Sequence, residues 1–295
     1  MPILKNKLKE VRRQLDVVLD RLLPVPTTQE KRVVEAMRYS CLNAGKAVRP
    51  FLVISSAQLF KPDTSAVWDV AAALEMVHTY SLIHDDLPCM DNDDLRRGRP
   101  SCHKRFDEAT AMLAGDALLT RAFEVIAQNA DLSAEKKCTL VALLAHAAGY
   151  QGMIGGQMLD LMAEECEDMP LEDLQRLQSL KTGQLLSYAC MAGAVLGDAS
   201  EPAQKALKEY AQSLGLVFQI TDDILDVEGS VENMGKTLHK DEKEQKATYV
   251  SVLGLEKAKA AADDLTQQAI QSLSYFKEKA AVLEELARFV RSRDH

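Results

Sequence analysis

From residue 67 to 87 the apolar positions Val70, Ala73, Leu74, Val77, Tyr80 and the pair Leu82/Ile83 return every three or four residues, the period of a helix with a broad buried face. The same rhythm runs through 4–22, 28–43, 47–60, 107–129, 134–150, 171–196, 202–227 and 251–290, and nowhere does the chain read convincingly as a strand. Breaker or N-cap clusters separate these segments: Pro24-Val25-Pro26-Thr27-Thr28, Lys61-Pro62-Asp63, Asp131-Leu132-Ser133, Asp168-Met169-Pro170 and Asp198-Ala199-Ser200-Glu201-Pro202. No internal repeat, low-complexity tract or linker divides them. The pattern predicts an all-α protein, a single domain over residues 1–295 with moderately long helices around a common core.

With 47% hydrophobic residues in 295, there is enough apolar side chain for a sizeable core, and 14 Gly, 9 Pro and 27% charged residues exclude collagen-like or disordered classes. The longest apolar runs, such as Leu140 to Ala145, stop at His146 or at a charge well short of the ~20 residues that span a bilayer. The amino terminus passes straight into a charged amphipathic pattern without the apolar region of a signal peptide, so a cytoplasmic protein with no membrane span is expected. Six cysteines (Cys41, Cys89, Cys102, Cys138, Cys166, Cys190) form no C-x-x-C pair and read as reduced thiols. A net charge of -9 repels nucleic acid and anionic lipid at long range, so an anionic ligand has to be met locally.

Charge interrupts the helices in two places. At 85–99 the chain reads DDLPCMDNDDLRRGR: Asp85, Asp86, Asp91, Asp93 and Asp94, then Arg96, Arg97 and Arg99. A solvated helix face mixes signs at i,i+4; here acid and base are segregated, and the carboxylates need a counter-ion. Oxygen-only clusters favour hard cations, and magnesium takes a few carboxylates together with water and phosphate. Asp85 and Asp91 stand about 240° apart on an ideal helical wheel, so Pro88 is expected to end the helix and let Asp91 fold back toward Asp85. The second cluster, FQITDDILD at 218–226, closes the helix predicted from Pro202 and puts Asp222 and Asp226 on one face with Asp223 beside them.

Basic residues recur at short glycine-containing breaks: Gly45-Lys46-Ala47-Val48-Arg49-Pro50, Lys181-Thr182-Gly183 and Gly235-Lys236-Thr237. None is a Walker A loop, and Gly155-Gly156-Gln157-Met158-Leu159-Asp160 lacks the strand context of a dinucleotide fold. Two acidic clusters with several isolated cations form an inventory for gripping two diphosphates in one cavity. Local explanations compete at single positions. An Asp-Asp pair alone is more often a cap or solvated face, His78 alone a satisfied core or surface histidine, and Gly155-Gly156 alone a helix kink with Gln157 and Asp160 in support. Met153, Met158 and Met162 read as packing residues.

The ordered series GKAVRP at 45–50, HDDLPCMDNDDLRRGRPSCH at 84–103, GGQMLD at 155–160, KTG at 181–183, FQITDDILD at 218–226 and GKT at 235–237 resembles the bacterial-type short-chain trans-prenyl diphosphate synthases, over residues 45 to 249. The resemblance implies an all-α bundle of about ten helices around a deep cavity, usually a homodimer, which joins isopentenyl diphosphate to an allylic diphosphate with magnesium, three ions when substrate is bound. Carried over by position, Asp85, Asp91 and Asp222 are metal ligands, and Asp86, Asp223 and Asp226 act behind them or through water. Arg96, Lys181, Thr182, Gln219 and Lys236 match positions that contact the allylic diphosphate; Lys46, Arg49, His78 and Arg97 match those that bind isopentenyl diphosphate. The catalytic set is then Asp85, Asp86, Asp91, Asp222, Lys181 and Lys236.

Product length follows from the helix before Asp85. Residues about 6 to 8 Å below the metal form the floor of the implied cavity: Ser81 on the same face as Asp85, and Tyr80 about 140° around the wheel, which reaches the floor where the helix is rotated toward it and is otherwise a core residue. In the family a bulky aromatic five residues before the first motif resembles the fifteen-carbon, farnesyl type, and a small residue the geranylgeranyl type, so Tyr80 favours farnesyl diphosphate. A class I terpene cyclase would carry an Asn, Ser/Thr, Glu triad where FQITDDILD stands, and a di-iron bundle would need a second E-x-x-H beside Glu75-Met76-Val77-His78. In many relatives the loop after the second motif ends Lys-x-Thr-Tyr-Pro; here Val250 replaces the proline.

Overall fold

The computed structural model describes residues 2–60, 64–163, 169–232 and 248–293, and helices account for nearly all of them. The chain divides into two compact units, Pro2–Ala142 and Leu143–His295, and passes from one to the other within a single helix.

The first unit holds α1 (Pro2–Leu22), α2 (Lys31–Cys41), α3 (Val48–Gln58), α4 (Ser65–Asp85), a short α5 (Cys102–Arg105), α6 (Glu108–Gln128) and the start of α7 (Ala134–Ala148). α4 is apolar around nearly its whole circumference, with small Ala71, Ala72 and Ala73 between Val70, Leu74, Met76 and Val77, all fully buried. A helix of that composition belongs in the middle of a packed unit, and α1, α2, α3 and α6 all pack against it. Helix α6 starts where Asp107 caps the N–H of Thr110 at 2.7 Å. Between α4 and α5 the chain forms a two-residue hairpin, β1 (Leu95–Arg96) against β2 (Arg99–Pro100), with Arg97 (φ 55°) and Gly98 (φ 74°) at its tip. Positive φ at both central residues is what a type I′ turn requires. Strands of two residues are too short to show a period of two.

The second unit continues with α8 (Met153–Ala163), α9 (Leu171–Gln178), a π turn (Ser179–Gly183), α10 (Gln184–Leu196), α11 (Glu201–Glu232), α12 (Tyr249–Leu253), α13 (Leu255–Ser272), a 3₁₀ segment (Leu273–Ala280) and α14 (Ala281–Arg291). α11 is its axis. Ala203, Leu207, Tyr210, Leu214, Val217, Ile220 and Ile224 recur at three- and four-residue steps and are buried against α10, α13 and α14. Below the second acidic motif, Ile220 and Ile224 join Leu174, Tyr249, Ala258 and Ala262 in one buried cluster.

Three expectations change. The helix read over 171–196 runs without interruption and holds the π turn inside it, whereas that read over 251–290 is broken at Gly254 (φ 81°) and again at Lys277 (φ 51°). The second acidic motif does not close its helix, since α11 runs on to Glu232. Helix α8 forms where the glycines of 149–156 mask the periodicity, and on it Met153 is buried while Met158 and Met162 are 54% and 60% exposed, so those two do not pack within the chain. Ala134–Ala163 is, among the described residues, one stretch long and apolar enough to cross a membrane. A turn at 149–152 splits it into helices of 15 and 11 residues, each below the ~20 that a span needs.

Candidate active site

In the first unit the acidic motif begins at the carboxyl end of α4, where unpaired carbonyls already concentrate negative partial charge. Carboxylates there oppose the helix dipole and gain from a cation. The chain then doubles back: Leu87 N–H bonds to His84 O and Asn92 N–H to Leu87 O at 3.1 Å, and Asp91 N–H bonds to Asp85 O at 2.9 Å. The turn that Pro88 implied therefore brings Asp91 onto Asp85, with Asn92 in the left-handed region at φ 49°. Asp86 points elsewhere. It is 2% exposed and accepts from Arg96 Nε at 2.8 Å, and the same guanidinium reaches Asp93 at 3.2 Å. Burial raises the pKa of Asp86 and the bond from Arg96 opposes that rise. Among the described residues no three His, Cys, Asp or Glu side chains form a ready-made cage. The donors at Asp85 and Asp91 are all oxygen, which suits magnesium completed by water and phosphate.

Three of the four residues assigned to isopentenyl diphosphate also meet in this unit. Arg49, half-buried on the first turn of α3, lies 3.2 Å from His78 Nε2 on α4. A guanidinium only donates, so Nε2 accepts and the neutral ring carries its proton on Nδ1. Burial holds the pKa of His78 well below its ordinary value, and the positive charge of Arg49, Arg97 and Arg96 adds to the effect. Arg97 sits at the hairpin tip with its guanidinium against Gly45: a Cβ on Gly45 would fall 2.6 Å from Arg97 Cζ. Lys46 is the next residue of that turn and is exposed. The hairpin itself is fixed to α2 by Tyr39, which donates to Pro100 O at 2.8 Å and lies 4.2 Å beneath the guanidinium of Arg99.

The floor residues differ from one another. Tyr80 is 5% exposed, its hydroxyl is buried without a partner, and its ring meets His84 edge-on at 5.7 Å. Burial and the charge of Asp85 push its pKa up to about 12. Ser81 turns its hydroxyl back to His78 O at 2.9 Å.

In the second unit Lys181 and Thr182 lie within the π turn, a one-turn widening of the kind found where a helix serves a site. Lys181 Nζ donates to Asp160 Oδ2 of α8 at 2.6 Å, which gives the GGQMLD motif its role. A Cβ on Gly156 would fall 2.2 Å from Lys181 N, so only glycine lets α8 approach the turn this closely. The kink reading of that motif is set aside in favour of close approach. On its other side the turn meets α11, where a Cβ on Gly215 would come 3.1 Å from Gly183 Cα. One turn further along α11 stands Gln219, which donates to Asp223 Oδ1 at 3.0 Å. Asp223 is 4% exposed and also accepts the Tyr249 N–H at 2.7 Å, so it fastens α12 to α11. Thr248 and Ser251 complete that junction with a reciprocal capping box made by the N–H groups of those two residues, in which Val250 takes no part. Asp222 is exposed and paired with Arg293, whose guanidinium lies 4.0 Å from the Phe218 ring and donates to Phe218 O at 2.9 Å. Asp226 is half-buried on the same side of α11. Lys236 lies outside the described residues.

Sequence reasoning missed Arg293 and gave Asp160 only a supporting role. No local pattern announces Arg293, which reaches Asp222 across 71 positions.

The chain belongs to the polyprenyl synthetase family, whose profile matches residues 30–288. It is 44% identical to the farnesyl diphosphate synthase of Escherichia coli (strain K12), covering 96% of each chain. It is also 44% identical to the chloroplastic geranylgeranyl pyrophosphate synthase of Catharanthus roseus, covering 90% of this chain and 74% of that one. The crystal structure of an FPP/GFPP synthase from Zymomonas mobilis matches with a TM-score of 0.90 at 42% identity, covering 99% of this chain and all (100%) of that one.

Proposed function

We propose that this chain condenses isopentenyl diphosphate with dimethylallyl or geranyl diphosphate and stops at farnesyl diphosphate. The observation that carries the reading is the fold-back of Asp91 onto Asp85, in a chain whose family match runs through both acidic motifs. The same continuous match supports treating the two units as one polyprenyl synthase domain. The allylic C–O bond breaks with its electron pair leaving on diphosphate, the isopentenyl double bond attacks the carbocation, and a proton is lost from the adduct. Asp85, Asp91 and Asp222 would hold magnesium, three ions with substrate bound, and the metal would supply Lewis-acid neutralisation of the leaving group. Arg96, Lys181, Thr182, Gln219 and Lys236 hold that diphosphate where its charge develops. Lys46, Arg49, Arg97 and neutral His78 orient the isopentenyl diphosphate. The departing diphosphate takes the proton, and no side chain is needed as nucleophile.

Chain length rests on Tyr80, a full-sized ring buried one turn below Asp85. Chromatographic sizing of the product from magnesium, isopentenyl diphosphate and geranyl diphosphate is expected to give fifteen carbons, and diphosphate release with no need for isopentenyl diphosphate would overturn the reading. Tyr80→Ala is expected to shift the product to twenty carbons; an unchanged distribution removes the floor assignment. Similarity to the geranylgeranyl pyrophosphate synthase of Catharanthus roseus favours the twenty-carbon product as the second reading.

A homodimer belongs to the same proposal. Tyr150, Ile154, Met158 and Met162 are 79%, 45%, 54% and 60% exposed at steps of four, an apolar stripe on α8 and the turn before it. Sedimentation equilibrium at the monomer mass would remove it. The setting is cytoplasmic, in keeping with free thiols at all five described cysteines.

A further inference from the structure

The segment between α2 and α3 has backbone that its own sequence does not favour. Asn43 (φ 55°), Gly45 (φ 65°) and Ala47 (φ 51°) are all left-handed, and two of the three carry a Cβ. Such a segment keeps its shape only where surrounding groups over-determine it. The groups that do so lie on α1, whose residues fall before the matched family region. Arg12, 12% exposed, donates through Nη1 to Ala44 O at 2.8 Å and to Glu75 Oε1 at 3.2 Å, and through Nη2 to Cys41 O at 3.3 Å and to Asp16. Asp16 in turn accepts the Asn43 N–H at 3.0 Å. Three bonds from two side chains one turn apart on α1 therefore close on the segment that presents Lys46 and Arg49.

We infer that Arg12, Asp16 and Glu75 form a positioning clamp for the isopentenyl diphosphate site, set by α1 from behind the turn. The inference rests on the proposed assignment of Lys46, Arg49, His78 and Arg97 to that substrate. Glu75 lies one turn before His78 on α4 and is 2% exposed. Burial pushes its carboxyl pKa up, against the charges of Arg12, Arg97 and Arg49, so it is the common counter-charge of the clamp and of two substrate-facing arginines. Gly45 completes the link, because the absence of a Cβ there is what lets the turn lie on the Arg97 guanidinium. Loss of Arg12 frees the carbonyls of Cys41 and Ala44, and the turn relaxes away from Arg97.

The test is steady-state kinetics of the full-length Arg12→Met protein with both substrates varied, beside Lys46→Ala. The expected result is a KM for isopentenyl diphosphate raised roughly ten- to a hundredfold, with the KM for geranyl diphosphate unchanged within about twofold. Arg12→Lys, which keeps the charge without the fork, falls between. A purely structural Arg12 would lower the melting temperature and the active fraction while leaving both KM values alone, and that outcome overturns the clamp. If Arg12→Met does not fold, Asp16→Asn must show the same split at smaller size, and no split there overturns the clamp equally. If Lys46→Ala leaves the isopentenyl diphosphate KM unchanged, the substrate assignment has failed and the clamp falls with it. If Lys46→Ala raises that KM and the clamp variants do not, the assignment stands and the clamp alone is wrong.

Discussion

Replacing Asp85 by alanine is expected to lower turnover by roughly a hundred- to a thousandfold while the far-ultraviolet circular dichroism stays that of the parent. The side chain is half-buried at the last residue of α4, where its charge opposes the helix dipole. Removing it relieves like-charge repulsion with Asp86 and Asp91, so the melting temperature should hold within about 4 °C or rise. Asp222→Ala should behave in the same way. Its side chain is exposed on α11, and the Arg293 guanidinium beside it keeps its contacts to the Phe218 ring and carbonyl. Activity assayed across a magnesium titration checks both variants, and a fully active protein would dismiss that carboxylate as a metal ligand. A variant that loses activity together with its helical signal would instead show a structural role.

The second large effect is on stability. In Gly156→Ala the new methyl would lie 2.2 Å from Lys181 N and 2.5 Å from Lys181 Cα, both main-chain atoms of the π turn. Neither can rotate aside as a side chain would, so α8 must move off the turn. The expected cost is about 2–3 kcal/mol in urea denaturation, with activity falling as Lys181 leaves Asp160. Gly183→Ala provides the contrast. Although glycine stands there in the KTG motif, the nearest atom to an added Cβ is Ser179 Oγ at 3.7 Å, an ordinary contact, and a change within about 0.5 kcal/mol is expected. Equal stability of the two variants would refute the close-approach account.

Much of this arrangement is readable from residue order because it depends on local chemistry. The period through 107–129 and 67–87 locates α6 and α4 to within two residues because long apolar repeats with clear caps leave little competition. Pro88 was enough to expect Asp91 to turn toward Asp85, since a proline there ends the helix and the next carboxylates have one way back. The reading failed where the determining contact is remote. Gly156 is required by a backbone in another helix, and no pattern within 149–163 states that. The π turn at 179–183 keeps an apolar rhythm that looks like continuous helix. The clamp at Arg12 and the pair Arg293–Asp222 join residues dozens of positions apart, each ordinary in its own neighbourhood. Met158 and Met162 show the reverse error: apolar residues at helical spacing imply burial, but not burial within the same chain.

The widened turn at Ser179–Gly183 sets a phase. One extra residue in a helical circuit advances everything after it by about 100° relative to an unbroken helix. Leu174, Leu177 and Gln178 are buried before the turn, and Leu185, Leu186, Ala189 and Cys190 after it. Deleting any single residue between 179 and 183 would reset that clock, rolling α10 by about 100° and moving Leu185, Leu186, Ala189 and Cys190 off the neighbours they are buried against. The five residues are thus a spacer whose length matters as much as the lysine they carry.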